Sequence, residues 1–436
     1  MTGITARGAR VCVAVLAAAA LASLSACSAS PALTIGADAP PAVTETPSAA
    51  APPAASGEQF TPVVVSALAA PIPVLGTDER IHLAYELQLT NGSPSKVKIH
   101  AVEASSGGTV LQELEGDDLD DVMRVAGATD GGGLELGPGQ NATVWMDATV
   151  ASGTDVPDLI DHTVTVEMPK AQPPLYEKTI AETTQAVAVD RREVAVIGPP
   201  LTGSGWLDAN GCCGLTAHRG AVSPINGAYW APERWAIDYV KLTPTMRLYE
   251  DSRDNARSYP GFGENVIAVA DGPIVAITSD RPEQDAGTAP GPTLTLDEYG
   301  GNYVVQDIGG GNYAFYAHLK TGNPFELRVG QQLARGDRLG LLGNSGNSDA
   351  PHLHFHVMDS PNPLASNGLP FVFDTFTLDG QVTSQAALDA GEQGKAYKVD
   401  KANAGERTNQ VPLTGVRLVD LVGLALFAGV ERGLRG

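Results

Sequence analysis

Short runs of alternating apolar and polar residues, cut repeatedly by glycine, proline and asparagine, fill most of this chain and direct it towards sheet. Ile81-His82-Leu83-Ala84-Tyr85-Glu86-Leu87, Lys96-Val97-Lys98-Ile99-His100-Ala101-Val102 and Ala142-Thr143-Val144-Trp145-Met146 are examples. Successive side chains of a strand face opposite sides, so such alternation marks strands with one buried face. Asn91-Gly92, Gly107-Gly108 and Gly137-Pro138-Gly139 supply the turns between them. Regularly spaced strands with this punctuation predict an immunoglobulin-like β-sandwich over 59–195. A second β-rich unit is expected over 196–382, with strands that include Trp235–Val240, Asn265–Val269, Tyr313–His318 and His352–Val357. Val196–Pro200 reads as a hinge, and 383–436 as a C-terminal extension. The fold class is all-β.

The first residues read as an address. Arg7 and Arg10 precede the apolar run Val11–Leu24, which ends in Leu24-Ser25-Ala26-Cys27. A charged start, an apolar middle and small residues at the cleavage point make 1–26 a signal peptide. The segment resembles the bacterial lipoprotein signal, which implies lipidation of Cys27 and attachment to the outer face of a membrane, since a diacylated cysteine holds where one chain would not. Residues 27–58, rich in Ala, Pro, Ser and Thr, lack the apolar bulk for a core and read as a disordered tether.

A formal net charge of −22 argues against nucleic acid and anionic lipid head groups as partners. Of four cysteines, Cys12 leaves with the signal and Cys27 takes the lipid. The neighbours Cys212 and Cys213 remain, free, joined to each other or part of a metal site. The apolar tail Val416–Val430 is interrupted by Asp420 and is shorter than the ~20 residues of a helical membrane span.

The chemistry concentrates in Pro351-His352-Leu353-His354-Phe355-His356-Val357. On a strand, His352, His354 and His356 share one face while Leu353, Phe355 and Val357 point into the core. A chain with eight histidines that sets three on one strand face points to a metal cleft, because imidazole is the commonest metal ligand. His82, His100 and His162 stand apart from one another and read as ordinary strand or turn residues. In Trp235-Ala236-Ile237-Asp238-Tyr239-Val240, an aspartate inside so apolar a strand requires a cation or several donors, and either a metal or an arginine such as Arg234 would serve. His318 ends the run Tyr313-Ala314-Phe315-Tyr316-Ala317-His318.

Taken in order, these pieces resemble the lysostaphin/LytM-type zinc metallopeptidases. Asn265–Gly272 is similar to the strand and turn before that family's core, and Tyr316-Ala317-His318-Leu319 to its Tyr-x-His-Leu motif. Val329-Gly330, Gly336-Asp337 and Leu342-Gly343-Asn344-Ser345-Gly346 resemble the segment leading into its last motif, and His352-Leu353-His354 its His-x-His strand. The resemblance implies a β-rich peptidase domain of the duplicated hybrid motif type. It also implies Zn2+ held by Asp238 and His354, with His318 and His352 as catalytic residues beside the open coordination position. The family's substrates imply hydrolysis of peptide bonds in peptidoglycan.

One position departs from the pattern. The family's first ligand stands four residues before the aspartate, and here that residue is Arg234, which stays protonated and cannot ligate zinc. His218, 20 residues before Asp238, is the histidine of this unit left unmatched, apart from His356, and is the expected third ligand. Cys212 or Cys213 is the weaker substitute. His356 has three roles open to it: ligand, orienter of a neighbouring ring, or solvated surface residue. Tyr229, Trp230 and the Arg281–Pro292 loop are candidates for the rim of a substrate groove. The function expected is a zinc endopeptidase of the cell envelope, and the alternative is an inactive peptidase-like module that binds wall or activates a hydrolase.

Overall fold

The computed structural model describes residues 58–128, 133–290, 294–419 and 421. The signal peptide, Cys27 and the tether up to residue 57 lie outside the described residues. Two antiparallel sheets form the N-terminal unit. In one, Arg80–Asn91 runs between Val63–Ala67 and Asn141–Ala151; in the other, Val97–Ser106 runs between Leu159–Glu167 and Thr109–Glu115. Leu83, Tyr85, Leu87 and Leu89 from the first sheet meet Ile99, Val102, Val164 and Val166 from the second in one core. The alternation read from Ile81–Leu87 therefore describes this face correctly.

The opposite face of the same strand is not solvated. Ala84 joins Ile72, Val74, Trp206, Trp235 and Phe355 in a core shared with the second unit, and Glu86 is fully buried. The segment expected to be a hinge is tied down as well. Ala195–Ile197 pairs in parallel with Phe371–Phe373, the Gly198 amide donates to the Val269 carbonyl, and the Ile267 amide donates to Pro200. A run of apolar and proline residues looks like a linker when its hydrogen-bonding partners lie more than sixty residues away.

The second unit is built on one long sheet. Its order is Gln332–Leu333, Gly272–Thr278, Asn302–Gly309, Asn312–Leu319, Leu353–Met358, Ile237–Lys241, Trp206–Ala209, Val416–Val419, Phe376–Val382 and Val399–Asp400. Val416–Val419, from the 383–436 extension, fills the place between Trp206–Ala209 and Phe376–Val382. The extension also reaches the N-terminal unit, where the Val411 amide donates to Leu75 and Gln410 Nε2 to Glu79. Among the described residues no helix is long and apolar enough to cross a membrane.

Candidate metal centre

Register alone brings most of the site together. Ile237–Lys241 pairs with Leu353–Met358 so that Asp238 lies opposite His354, and Asn312–Leu319 pairs on the other side with Ala317 opposite His354. Trp235, Ile237, Tyr239, Leu353, Phe355 and Val357 fill the core beneath, as the alternation requires. Asp238, His354 and His356 then share the upper face.

His218 arrives from outside the sheet. The single turn Ala217–Gly220 is capped by Thr216, whose hydroxyl accepts from the Arg219 amide. This turn sets His218 Nε2 at 3.1 Å from Asp238 Oδ2, while His354 Nδ1 lies 3.1 Å from Asp238 Oδ1. Donor atoms of His218, Asp238 and His354 all fall within 4.8 Å of one another, and all three residues are buried. Ligand atoms about 3.3 Å apart are what a tetrahedral zinc with bonds of about 2.0–2.1 Å requires. The donor set therefore fits the ion that the sequence motifs imply.

Each imidazole is held by its other nitrogen, which leaves one directed at the centre. The Nδ1–H groups of His218, His318 and His352 donate to the carbonyls of Ala236, Ser345 and Ala350 at 3.0, 2.8 and 2.7 Å, freeing Nε2 in all three. His354 is reversed: Nδ1 faces Asp238, and Nε2 lies 3.0 Å from His356 Nδ1. His356 is thus a buried neighbour of His354, not a surface residue.

The Leu342–Gly346 segment now has a mechanical role. A Cβ on Gly343 would collide with the backbone of Lys320, and one on Gly346 with that of Gly301. The two glycines let Ser345 approach closely enough to hold His318, which itself takes a left-handed φ of 59°.

Electrostatics follow from burial. Burial would raise the Asp238 carboxyl, but the charges and hydrogen bonds of His218 and His352 hold it well below its ordinary value. Burial would lower His218, yet the charge and hydrogen bond of Asp238 raise it to about 9. His318 is pushed well below the ordinary range, first by burial and then by His352 and His354. Asn210, which sequence reasoning missed, donates Nδ2–H to Asp238 Oδ2 at 2.9 Å. No local pattern marks it.

The site forms part of the floor of an open cleft of about 870 Å³. Its walls include Ser223, Ile225 and Asn226, then Leu296, Asp297, Tyr299 and Gly300, Tyr303, and Pro361 to Leu364. Tyr229, Trp230 and the described residues of Arg281–Pro292 do not line it, so the rim differs from the one expected. Cys212 and Cys213 are joined to each other, which removes both as thiolate ligands. Donors of His82, Asp147 and Cys213 also lie within 4.8 Å of one another, but that cysteine sulfur is the disulfide's. His82 is instead ion-paired with Asp78 and Asp147, His100 lies on Glu167 and His162 on the Tyr85 hydroxyl.

Behind the centre sits an unsatisfied acid. Asp208, opposite Tyr239 in the sheet, is fully buried and neither of its oxygens has a partner among the described residues. Burial, reinforced by the negative charge of Asp238, pushes this carboxyl well above its ordinary value. A carboxyl raised in the folded state contributes fully below its unfolded pKa near 4 and costs stability as pH rises from there. Asp208→Asn is therefore expected to match the parent near pH 4 and to be the more stable of the two at pH 7.5. Urea denaturation at the two pH values checks this, and a stability difference independent of pH would contradict it.

A buried His/Asp donor set on an antiparallel sheet, open to a cleft, is the architecture of a metallopeptidase. Residues 258–366 match the model of Peptidase family M23, and this part of the chain is a peptidase domain of that lysostaphin/LytM type. Over 66 residues the chain is 38% identical to the peptidoglycan DD-endopeptidase ShyA of Vibrio cholerae, which covers 15% of this chain and 15% of that protein. The match thus spans far less than the full length of this curated relative. Similar solved structures include the catalytic domain of lysostaphin from Staphylococcus simulans, at 20% identity, 38% of this chain, 88% of that one and a TM-score of 0.20. A zinc-containing peptidase from Vibrio cholerae is 12% identical over 64% of this chain and 78% of its own, with a TM-score of 0.23.

Proposed function

We propose that the protein is a zinc-dependent endopeptidase that cuts peptide bonds of peptidoglycan at the cell envelope, attached through a lipid on Cys27. The convergence of His218, Asp238 and His354 on one point carries this reading. Those three residues would hold the ion, which supplies Lewis-acid polarisation of a carbonyl and acidifies water. His318 and His352, each with Nδ1 fixed on a carbonyl, present Nε2 on the remaining side. His318, kept neutral by burial, takes the proton from the attacking water and passes it to the leaving amine. His352, whose imidazole the Asp238 charge favours in the form protonated at both nitrogens, donates Nε2–H to the oxygen on which negative charge develops.

The test is zinc content together with release of peptides from purified peptidoglycan, for the protein and for His318→Ala and His352→Ala. About one zinc per chain is expected in all three, with kcat lower by about 10²–10⁴-fold in the variants. A zinc-loaded parent that releases nothing, or a parent that binds no zinc, would favour the wall-binding or activator module, a reading that the arginine at position 234 recommends.

A further inference from the structure

Glu86 belongs to the N-terminal unit, yet its carboxylate is held by two arginines of the second unit, with no exposure to solvent. Arg234 Nε donates to both of its oxygens at 3.1 and 2.9 Å, and Arg234 Nη2 to one of them at 2.6 Å. Arg219 Nη2 approaches the same carboxylate at 3.4 Å. Both guanidinium groups are buried, at 5% and 1% exposure, so the carboxylate is the anion that permits two cations to lie together in the interior.

The arginines are not placed at random along the chain. Arg219 directly follows His218 in its single turn, and Arg234 begins the short approach to Asp238. Both arginines also fix backbone: Arg219 donates to the carbonyls of Cys213, Tyr85 and Met146, and Arg234 to that of Gly368, while Arg219 Nε has no partner among the described residues. The bonds from Arg219 to Tyr85 and Met146 cross the boundary between the two units, and the others reach Cys213 and the short strand Gly368–Leu369. The turn carrying His218 has only four residues and cannot hold its own geometry.

We infer that Glu86 is a positioning residue for the metal centre: by gripping Arg219 and Arg234 it sets the separation of His218 and Asp238, and makes the N-terminal unit part of the site instead of a spacer. This rests on the zinc reading given above. The geometry also explains why the residue four before Asp238 is free to be an arginine. Its side chain serves the boundary between the units, and the ligand comes from a turn anchored on the same carboxylate.

The test uses the full chain, with Glu86→Gln, Glu86→Asp and, as control, Glu182→Gln. Glu182 is the other fully buried glutamate of the N-terminal unit; it accepts from the Val63 amide and touches nothing near the site. Zinc affinity by chelator competition and the visible spectrum of the Co2+-loaded protein are the readouts. Glu86→Gln is expected to weaken zinc binding about 10–100-fold, the range for residues that orient metal ligands, and to shift the cobalt bands. Glu182→Gln is expected to leave affinity and spectrum as in the parent. If Glu86→Gln does not fold, Glu86→Asp, which keeps the charge but withdraws it by one methylene, is expected to show the same changes to a smaller degree. Parent-like affinity and spectrum in the Glu86 variants, or equal losses in Glu182→Gln, would overturn the inference. A parent that binds no zinc would defeat the zinc reading alone. Amide exchange in the metal-free protein would then decide this one, rising at 217–220 in the Glu86 variants if the clamp exists and staying at the parent rate if it does not.

Discussion

Replacing His218 with alanine is expected to remove zinc from the protein and peptide release with it. One of three donor side chains disappears, so affinity should fall by more than the 10–100-fold typical of residues that only orient a ligand. No thiolate stands ready to take its place, because Cys212 and Cys213 are bonded to each other. The nearest substitute is His352, whose Nε2 lies 3.3 Å from Asp238 Oδ1. Recruiting it would cost the proposed catalysis even if some zinc remained. Zinc bound at parent affinity by His218→Ala would remove His218 from the ligand set and make His352 the third ligand.

The same residue gives a pH signature. In the metal-free chain His218 is raised to about 9 against an ordinary value near 6.5, because Asp238 outweighs burial. A raised imidazole contributes stability that is fully present below about 6.5 and is lost as pH climbs through 9. Metal-free His218→Ala should therefore fall furthest short of the parent near pH 6 and approach it above pH 9. Zinc must displace that proton, so apparent affinity in the parent should rise with pH up to about 9. Calorimetric titration in two buffers of different ionisation enthalpy would count the proton released.

The strands at the site were legible because their chemistry is local. Leu353, Phe355 and Val357 alternate with histidines within one strand, and Trp235, Ile237 and Tyr239 alternate with Asp238 within another, so the buried and chemical faces could be told apart residue by residue. His218 was reachable by elimination once Arg234 had been ruled out as a ligand. What could not be read was everything set by distant partners. Glu86 sits in an alternating strand where a solvated glutamate would look the same, and its partner Arg234 is 148 residues away. Val196–Pro200 has the composition of a hinge and the hydrogen bonds of a packed strand. Val416–Val419 completes the sheet of a domain that seemed to close at 382. Such pairings are decided by partners far away along the chain, for which a single sequence carries no periodic mark.

Restoring the family's histidine at position 234 is expected to harm the protein, not to repair it. Arg234→His would leave Glu86 fully buried with only the 3.4 Å contact from Arg219. Removing one partner of a buried ion pair costs about 3–5 kcal/mol, because the other charge remains without compensation. Two guanidinium groups and one carboxylate would become one of each, but the strong bidentate arm of the pair is the one lost. Nor would the new imidazole reach the centre. The side chain at 234 leaves the backbone towards the N-terminal unit, whereas Asp238 faces the cleft, so the position is occupied by a different direction as well as a different residue. The double variant His218→Ala/Arg234→His should accordingly remain zinc-free, with a denaturation midpoint well below that of His218→Ala alone. Zinc binding recovered in the double variant would show that the segment before Asp238 can still swing into the ligand geometry, and would reduce the Glu86 clamp to a local packing contact. Without that recovery, the arginine is not a lost ligand but a joint between two units, and the metal centre has been rebuilt around it from His218.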